Sequence, residues 1–520
     1  NEIGHFVRVP FEGGDPEDIT PDLPPYSAFS FGASRAGNRL GFTLADQDGF
    51  HLNLIDLHAD STIGSQRTIY HTKALSFGPH FSYGGETALL MSTERAGKPQ
   101  FSLLVFDCAG GEQIAELWDG PDTSITSGGF SPVPGDDRVL GTTNRNGAGR
   151  PLVWNVRTGE RIDLDLPELQ GEVEAWDWSP DGRRLLLCQT HAAVQQLYTY
   201  DLARRELTRL EHPEGAFWAT YFTPEGEIWT TRSNAAQPPE IIALHGATGQ
   251  HTRTILAADA VPPGRPWRSV TFTSSDGQPI HAWLAVPEGD GPFLTIIDTH
   301  GGPTAVQTQS FSPESQVWLD HGFAFLTINY RGSTTFGREF EEKIWGDLGH
   351  WEIEDMVAGR SWLVEQGIAD PDSILLTGWS YGGYLTLMGL GKRPELWAGG
   401  MAGIAIADWT IQYEDTADTL RGYQVALLGG TPQEKPDVYA ASSPITYADR
   451  VRAPVLIIQG RNDTRTPARP IEMYEQKLRE QGKQVEVHWF DAGHAGSFAR
   501  AELAIEHHEI MLRFAYRVLG

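Results

Sequence analysis

The first half of the sequence repeats with a nearly constant period. A Ser or Thr that follows an apolar run and precedes a turn with Gly or Pro returns at intervals of 48, 49, 48 and 44 residues; these anchors are Ser34, Ser82, Ser131, Ser179 and Thr223. Several strand-like runs follow within each unit. A period of about 40 to 50 residues with several short strands is typical of β-propeller blades, which pack against their neighbours. The repeat therefore predicts an all-β propeller of about five blades; an irregular β-sandwich is the alternative.

The repeat ends in a segment rich in Pro and Ala, from Ala257 to Pro266. Beyond it, β-rich runs alternate with helix-like stretches such as Trp351 to Gln366; the predicted strands are Ile280 to Val286, Leu294 to Asp298, Ala324 to Asn329, Ile374 to Thr377, Val455 to Gln459 and Val485 to Phe490. This alternation predicts a largely parallel sheet with helices on both faces. The expected domains are residues 1–265 for the propeller and 266–520 for an α/β domain.

Composition excludes several classes of protein. A net charge of −28 would repel a phosphate backbone, so nucleic acid is not an expected partner. No apolar run approaches the roughly 18 residues of a membrane span, and residues Asn1 to Pro10 lack the pattern of a secretion signal. The two cysteines, Cys108 and Cys188, are too few for a disulfide framework and favour a cytoplasmic location. A homo-oligomer is left open.

A nucleophile elbow is predicted around Ser380. The apolar strand Ile374 to Thr377 runs into Gly378-Trp379-Ser380-Tyr381-Gly382-Gly383, and a helical stretch follows from Tyr384 to Leu390. The G-x-S-x-G pattern alone is weak evidence in a chain with 57 glycines. Its position between a strand and a helix makes it specific, because a tight turn there exposes the serine oxygen and the glycines let strand and helix approach.

Two downstream residues fit the carboxylate and the base that a serine nucleophile needs. Asp463 and His494 each follow a predicted strand, at the sheet edge where Ser380 is displayed, and the order Ser, Asp, His is that of an α/β hydrolase. Asp491 competes with Asp463, but it lies only three residues from His494 and is expected to shape the loop. The predicted triad is therefore Ser380, Asp463 and His494.

The backbone N–H groups that stabilise an oxyanion are predicted from two places. His300-Gly301-Gly302-Pro303 follows the predicted strand Leu294 to Asp298, as an HGG-type loop does, and the residue after the nucleophile, Tyr381, supplies the other donor. An ordinary glycine turn is the alternative for the first. His300 is expected to be structural, without a role in proton transfer.

Other polar patterns suggest less chemistry. Glu506-His507-His508-Glu509 contains residue types that bind metals, but it lies in a helical stretch without complementary ligands and is expected to be solvated surface. No Walker-type phosphate loop occurs, because the glycine pairs Gly128-Gly129 and Gly429-Gly430 lack its spacing. Neither a metal nor a cofactor is expected.

The C-terminal half resembles the prolyl oligopeptidase family of serine peptidases, and within it the acylaminoacyl-peptidase-like members. The resemblance covers nearly all of Val270 to Gly520. It rests on His300-Gly301-Gly302-Pro303, Asn329-Tyr330-Arg331-Gly332-Ser333-Thr334, Gly346 to Asp355, Gly378-Trp379-Ser380-Tyr381-Gly382-Gly383-Tyr384, Asp408-Trp409, Ser442-Ser443-Pro444-Ile445, Asp463 and Asp491-Ala492-Gly493-His494. These motifs are specific for the family and much less specific for substrate.

The resemblance implies an α/β-hydrolase catalytic domain and roles for eight residues. These are Ser380, Asp463 and His494 in the triad, Gly302 and Tyr381 as oxyanion donors, Ile406 and Trp409 in the pocket for the residue before the scissile bond, and Arg421 on a substrate carbonyl. It also implies a propeller that covers the active site and admits short peptides. Family propellers commonly have about seven or eight blades, so a region with room for about five could be more open. The paired-glutamate signature of dipeptidyl peptidases is not found.

The expected function is therefore hydrolysis of short peptides through an acyl-enzyme, in the manner of an acylaminoacyl-peptidase or an aminopeptidase. The expected partner is a short peptide or a small acylated substrate. Two alternatives stay open at this point. One is an esterase or amidase acting on a small molecule, because the same groups cleave esters more easily, and the other is a propeller scaffold with a catalytically inactive hydrolase domain.

Overall fold

The first half of the chain forms a series of small antiparallel sheets in the computed structural model, which describes residues 3–259 and 261–520. The first sheet contains β1 (Ile3–Gly4), β4 (Tyr26–Ala33), β5 (Arg39–Asp46), β6 (Gly49–Leu57) and β7 (Ile63–Thr72), and a separate pair contains β2 (Val7–Arg8) and β3 (Glu17–Asp18). The second contains β8 (Ser76–Phe81), β9 (Thr87–Ser92), β10 (Ser102–Asp107) and β11 (Gln113–Leu117), and the third contains β12 (Ile125–Phe130), β13 (Arg138–Thr143), β14 (Arg150–Asn155) and β15 (Arg161–Asp163). The fourth contains β16 (Glu172–Trp178), β17 (Arg184–His191), β18 (Val194–Asp201) and β19 (Glu206–Arg209), and the fifth contains β20 (Ala216–Phe222), β21 (Ile228–Asn234), β22 (Gln237–Leu244) and β23 (His251–Ala257).

The five sheets are the five predicted blades. Every anchor closes the first hairpin of its blade, because its backbone N–H donates across the turn: Ser34 to Arg39, Ser82 to Thr87, Ser131 to Arg138, Ser179 to Arg184 and Thr223 to Glu227. Adjacent blades share apolar clusters. Leu54 of the first blade packs with Leu90 of the second, and Val105 of the second packs with Leu152 of the third. The propeller prediction is confirmed, because each blade buries its faces against its neighbours.

The second half contains one eight-stranded sheet. Its strands are β24 (Arg268–Thr273), β25 (Pro279–Ala285), β26 (Phe293–Thr299), β27 (Phe323–Asn329), β28 (Ala369–Trp379), β29 (Gly399–Gly403), β30 (Val455–Gly460) and β31 (Val485–Phe490). They lie in the order β24-β25-β27-β26-β28-β29-β30-β31. β25 is antiparallel to both neighbours, and the pairs from β27 to β31 are parallel. This is the sheet of an α/β hydrolase, as predicted.

Helices cover both faces of this sheet. They are α1 (Pro313–Asp320), α2 (Arg338–Glu342), α3 (Trp351–Glu365), α4 (Tyr381–Lys392), α5 (Trp409–Asp415), α6 (Asp418–Leu428), α7 (Pro436–Ser442), α8 (Ala468–Glu480), α9 (Gly496–Ala499) and α10 (Ala501–Leu519), with a 3₁₀ helix at Pro444–Arg450. Successive strand residues point to opposite faces. Leu376 therefore packs in a cluster with residues of α3 and α4, whereas Leu375 packs with residues of α1 and α10.

Two strands of this sheet, β24 and β29, are absent from the predicted set. β29 reads Gly-Gly-Met-Ala-Gly, which lacks the β-branched and aromatic residues that mark strands. Its small residues are required by packing: a Cβ added at Gly403 would lie 2.2 Å from the Trp379 ring. The expected boundary at residue 265 falls in the segment between β23 and β24.

The two domains are joined by polar contacts. Ser27 Oγ lies 2.7 Å from Thr419 Oγ1 on α6, and the Gln100 side-chain amide donates to Glu342 Oε1 at 2.7 Å. These contacts hold the propeller over the edge of the sheet at which the parallel strands end. Within the described residues, no helix combines the length and the apolar character that crossing a membrane requires.

Candidate active site

Ser380 lies at a sharp turn between β28 and α4. Its φ of 58° is unusual for a residue with a side chain, and its backbone N–H donates to Gly403 O at 2.9 Å. The flanking glycines are needed for the close approach: a Cβ at Gly382 would lie 1.9 Å from Thr299 O, and one at Gly378 would lie 2.5 Å from the backbone of Gly382. This local geometry is that of a nucleophile elbow.

Asp463 and His494 are brought together from two different loops. Asp463 follows β30, His494 follows β31, and His494 Nδ1 lies 2.8 Å from Asp463 Oδ2. The Asp463 side chain is fully buried and also accepts hydrogen bonds from the N–H groups of Arg465 and Thr466 and from the Thr466 hydroxyl. Its geometry is therefore held from several directions, as an orienting carboxylate requires.

The charge of Asp463 is stabilised by these contacts. Burial would raise the pKa of its carboxyl, but the hydrogen bond and the charge of His494, together with the bonds from Thr466, lower the pKa below its ordinary value. Asp463 therefore remains ionised at neutral pH. The competing carboxylate, Asp491, is exposed to solvent.

Ser380 follows β28 and His494 follows β31, and β29 and β30 lie between these two strands in the sheet. Both residues lie at the same edge of the sheet. The hydrogen bonds of the described residues include none between Ser380 and His494. Catalytic hydrogen bonds are often long before substrate binds and shorten in the reacting complex. Proton transfer from Ser380 to His494 would therefore require the two side chains to approach each other when substrate binds.

A cavity of about 380 Å³ opens beside Ser380. The sequence-predicted residues that line it are Gly302, Ser380, Tyr381, Ile406 and Trp409. Its remaining walls are mostly apolar or amide side chains, contributed by Phe77, Thr304, Gln412, Leu420, Tyr423, Gln424, Leu427, Arg465 and Thr466. Ile406 and Trp409 are 6% and 4% exposed, so the pocket walls are part of the domain core.

The glycine loop fits an oxyanion hole. Gly302 has a φ of 138°, a conformation that favours glycine, and a Cβ at Gly301 would lie 3.4 Å from Ser380 Cβ. His300 is engaged by protein groups: its Nδ1 lies 2.7 Å from Gly301 O and its Nε2 lies 2.9 Å from Ser333 Oγ. Burial lowers the pKa of His300 to about 4, so the ring is neutral at physiological pH.

These contacts give His300 a structural role. His300→Gln should keep at least about one-tenth of kcat, whereas His494→Gln should lose roughly 10⁴-fold or more, because only the latter removes the predicted base. Steady-state kinetics on an activated ester or anilide would compare the two variants at matched thermal stability. Equal losses in both variants would contradict the structural assignment of His300.

Arg421 lies outside the pocket of Ser380. Its guanidinium donates to Tyr413 O at 2.9 Å and to Asp418 Oδ1 at 2.5 Å, and it borders a different cavity. The phase of α6 explains this placement. Leu420 and Tyr423 face the Ser380 pocket, and a residue one position after Leu420 points about 100° away. The structure therefore does not bring the arginine implied by family resemblance to the substrate pocket.

Nine of the residues that line the cavity were not predicted from sequence, and Arg465 and Phe77 are two instructive cases. Arg465 lies two residues after Asp463 in the same rim loop, and that proximity was a usable signal. Phe77 lies on β8 of the second blade and reaches the pocket from the other domain. No local sequence pattern could have placed Phe77 there, because the contact depends on how the domains pack.

The expectation of a solvated Glu506–Glu509 surface was wrong for His507. This residue is 0% exposed, and its ring lies 4.8 Å from that of Phe490 and 6.0 Å from that of Trp379. α10 packs one face on the sheet, and His507 belongs to that face together with Met511 and Phe514.

The fold and the elbow define the class of protein: an α/β hydrolase with a serine at the nucleophile position, preceded by a propeller. Residues 309–520 match the model of the prolyl oligopeptidase family. The match covers most of the C-terminal domain.

Curated proteins that are similar to the chain are named as peptidases or acylamino-acid-releasing enzymes. The chain is 27% identical over 300 residues to dipeptidyl aminopeptidase BIII of Pseudoxanthomonas mexicana, covering 54% of the chain and 43% of that protein. It is 29% identical over 348 residues to acylamino-acid-releasing enzyme 2 of Oryza sativa subsp. japonica, covering 60% and 45%. The chain thus spans less than half the length of these relatives.

Solved structures share the two-domain fold. A puromycin-hydrolyzing peptidase of Mycobacterium tuberculosis superposes with a TM-score of 0.84 at 21% identity, covering 99% of the chain and 83% of that structure. A puromycin hydrolase gives the same TM-score and identity and covers 98% and 81%. At this identity the likeness establishes the fold alone.

Proposed function

We propose that the chain is a serine peptidase that hydrolyses short peptides with Ser380, His494 and Asp463 as its triad. The observation that carries the proposal is the hydrogen bond between His494 and the buried Asp463, on the same sheet edge as a serine held in an elbow. The relatives named as a dipeptidyl aminopeptidase and an acylamino-acid-releasing enzyme support a peptide substrate.

The proposed reaction has two steps. The Ser380 oxygen attacks the substrate carbonyl while His494 accepts the hydroxyl proton, and His494 then returns the proton to the leaving amine. This forms an ester between Ser380 and the acyl part of the substrate. Water, activated by His494, attacks that ester and releases the acid and free Ser380. Asp463 holds the imidazole in the required tautomer and stabilises its cation.

The oxyanion formed in both steps needs donors that are already in place. We assign these donors to the backbone N–H groups of Gly302 and Tyr381, since both residues line the cavity with Ser380. Arg465, on the same cavity wall, is the cation that could hold a further substrate carbonyl. The mainly apolar pocket favours a bulky apolar side chain before the scissile bond.

Phe77 makes the propeller part of this pocket. Its ring packs with Tyr423 of α6 in one apolar cluster across the domain interface. Phe77→Ala should enlarge the pocket, so the ratio of kcat/KM for naphthylalanine to that for phenylalanine before the scissile bond should rise by about tenfold.

The matched control for Phe77 is Phe101→Ala. The Phe101 ring lies 5.6 Å from that of Phe77, but Phe101 is not among the described residues that line the cavity. Its removal should perturb the cluster without changing the substrate ratio. An unchanged ratio in Phe77→Ala, or the same change in both variants, would argue against a pocket wall from the propeller.

A second candidate is an amidase acting on a small molecule. The solved structures named as puromycin hydrolases favour it. Comparing kcat/KM for acyl-peptide anilides, free-amino peptide anilides, puromycin and p-nitrophenyl esters separates the candidates. We expect a peptide anilide to be the preferred amide; preference for puromycin by more than about a hundredfold would replace the peptide proposal.

We also propose a cytoplasmic location. Cys108 and Cys188 are both buried and unpaired, as expected in a reducing compartment. Fractionation of the native cells, with a cytoplasmic marker as reference, would test this proposal.

A further inference from the structure

A buried carboxylate lies behind the nucleophile elbow. Glu352, on α3, is 0% exposed, and the Tyr381 hydroxyl donates to its Oε1 at 2.6 Å. The backbone N–H of Gly349 lies 3.1 and 3.0 Å from its two oxygens. Burying a carboxylate is costly, and an apolar side chain could fill the same space at lower cost. The hydrogen bond to Tyr381 therefore calls for an explanation other than packing.

Tyr381 connects the nucleophile elbow to Glu352. It directly follows Ser380, whose φ of 58° is a strained conformation that persists only when the surroundings hold it. The Tyr381 phenol and the Tyr381 N–H belong to one residue, which is 1% exposed. Anchoring the phenol at Glu352 consequently restricts the backbone that presents the N–H to the substrate oxygen.

The same cluster extends to the glycine loop. The Tyr330 ring lies 6.2 Å from the Tyr381 ring and 4.4 Å from the His300 ring, stacked on both. The Tyr330 hydroxyl donates to His300 O at 2.8 Å, two residues before Gly302. A continuous set of buried contacts thus connects Glu352 with both proposed oxyanion donors.

We propose that Glu352 is a positioning residue of the oxyanion hole: its hydrogen bond to the Tyr381 phenol holds the Tyr381 N–H where the tetrahedral intermediate forms. This inference rests on the proposed hydrolase function. Glu352 contacts no substrate atom and acts through Tyr381. Its contribution should therefore appear in kcat, because a displaced N–H donor stabilises the transition state less, while it affects the binding of the substrate only slightly.

The charge of Glu352 adds a second measurable consequence. Burial raises the pKa of Glu352 to about 7, against the hydrogen bonds from Tyr381 and Gly349. The titratable groups around it are Asp355 on α3, Tyr381, Tyr384 and Lys392 on α4, and Tyr330 after β27. An ionised carboxylate is the stronger acceptor for the phenol. Acidification through neutral pH should therefore weaken the anchor, in addition to protonating the base.

Three variants test the inference: Glu352→Leu, Glu352→Gln and Tyr381→Phe. Glu352→Leu and Tyr381→Phe should each lower kcat by about 10- to 100-fold with KM changed less than about threefold. The double variant Glu352→Leu/Tyr381→Phe should be no slower than the slower single variant, because both changes remove the same bond. Glu352→Gln keeps an acceptor oxygen and should recover kcat to within about fivefold of the unmodified protein.

The pH profile separates positioning from packing. The acid limb of log kcat should be steeper in the unmodified protein than in Glu352→Gln, which has one titrating group fewer. The control is Glu354→Gln on the same helix, whose carboxylate pairs with Arg393 instead. It should leave kcat and the profile unchanged. The positioning role would be overturned if Glu352→Leu lost thermal stability but kept a normal kcat, and if the effects of Glu352→Leu and Tyr381→Phe on stability were additive in the double variant.

Failure of this inference is distinguishable from failure of the proposed function. If the unmodified protein turns over none of the substrates and reacts with no fluorophosphonate, the hydrolase proposal itself fails. If the unmodified protein is active and Tyr381→Phe and Glu352→Gln match it in kcat and pH profile, only the role of Glu352 is refuted. Those two variants preserve volume, so the test remains informative even if Glu352→Leu does not fold.

Discussion

Ser380→Ala should reduce kcat/KM by about 10⁵-fold or more, because it removes the proposed nucleophile and with it the proposed acyl-enzyme step. The same variant should lose labelling by a fluorophosphonate, which modifies only an activated serine. KM for any residual turnover should change little, since the pocket walls and the proposed oxyanion donors remain. Hydrolysis of a p-nitrophenyl ester and mass spectrometry of the labelled protein measure both effects.

The matched control for Ser380 is Ser361→Ala. Ser361 lies on the exposed side of α3, where its hydroxyl donates to Val357 O at 2.9 Å. This variant should label and turn over like the unmodified protein. Absence of labelling in the unmodified protein would instead favour a scaffold with an inactive hydrolase domain. Labelling that persists in Ser380→Ala would show that another serine is the nucleophile.

Asp463→Asn should lower kcat by about 10⁴-fold, the size of the effect when the orienting carboxylate of a serine protease is neutralised. The asparagine can occupy the same site and keep the hydrogen bonds from Arg465 and Thr466 through its oxygen. Its amide cannot stabilise the imidazolium and favours the wrong tautomer of His494. The loss should therefore appear in kcat with nearly normal thermal stability.

Asp491→Asn is the control for Asp463→Asn. Asp491 lies in the same loop as His494 but is exposed, so its neutralisation should change kcat by less than about threefold. Comparing kcat of the two variants on one ester substrate decides which carboxylate orients the base. A larger loss in Asp491→Asn than in Asp463→Asn would reverse the assignment.

The blades and the catalytic strands were predictable because their signals are local. A turn that follows Ser82 or Ser179 is closed by a hydrogen bond five residues away in sequence, so its pattern is visible in the chain itself. The same is true of the elbow, where strand, serine and helix follow one another. β29 lacked such a signal, because its glycines allow close packing with side chains elsewhere in the fold, such as Trp379 against Gly403.

Arginine placement marks the limit of pattern-based inference. Arg421 was implied by resemblance, yet its guanidinium binds Tyr413 and Asp418 beside another cavity, while Arg465 borders the pocket. A helix places adjacent residues about 100° apart, so a difference of one position moves a side chain to another face. The packing of α6 against the propeller decides which face of this helix lines the pocket beside Ser380.

The sequence by itself determined the two domain types and the approximate number of blades, and it predicted the three triad residues, because periodicity and strand-end motifs are read within short stretches. Tertiary structure alone decided the contacts made between distant stretches. Phe77 reaches the pocket across the domain interface, and Glu352 meets Tyr381 between two helices. Such contacts depend on how the helices, strands and domains pack against one another. That packing is set by burial of apolar surface across the whole fold, so no local sequence pattern encodes it.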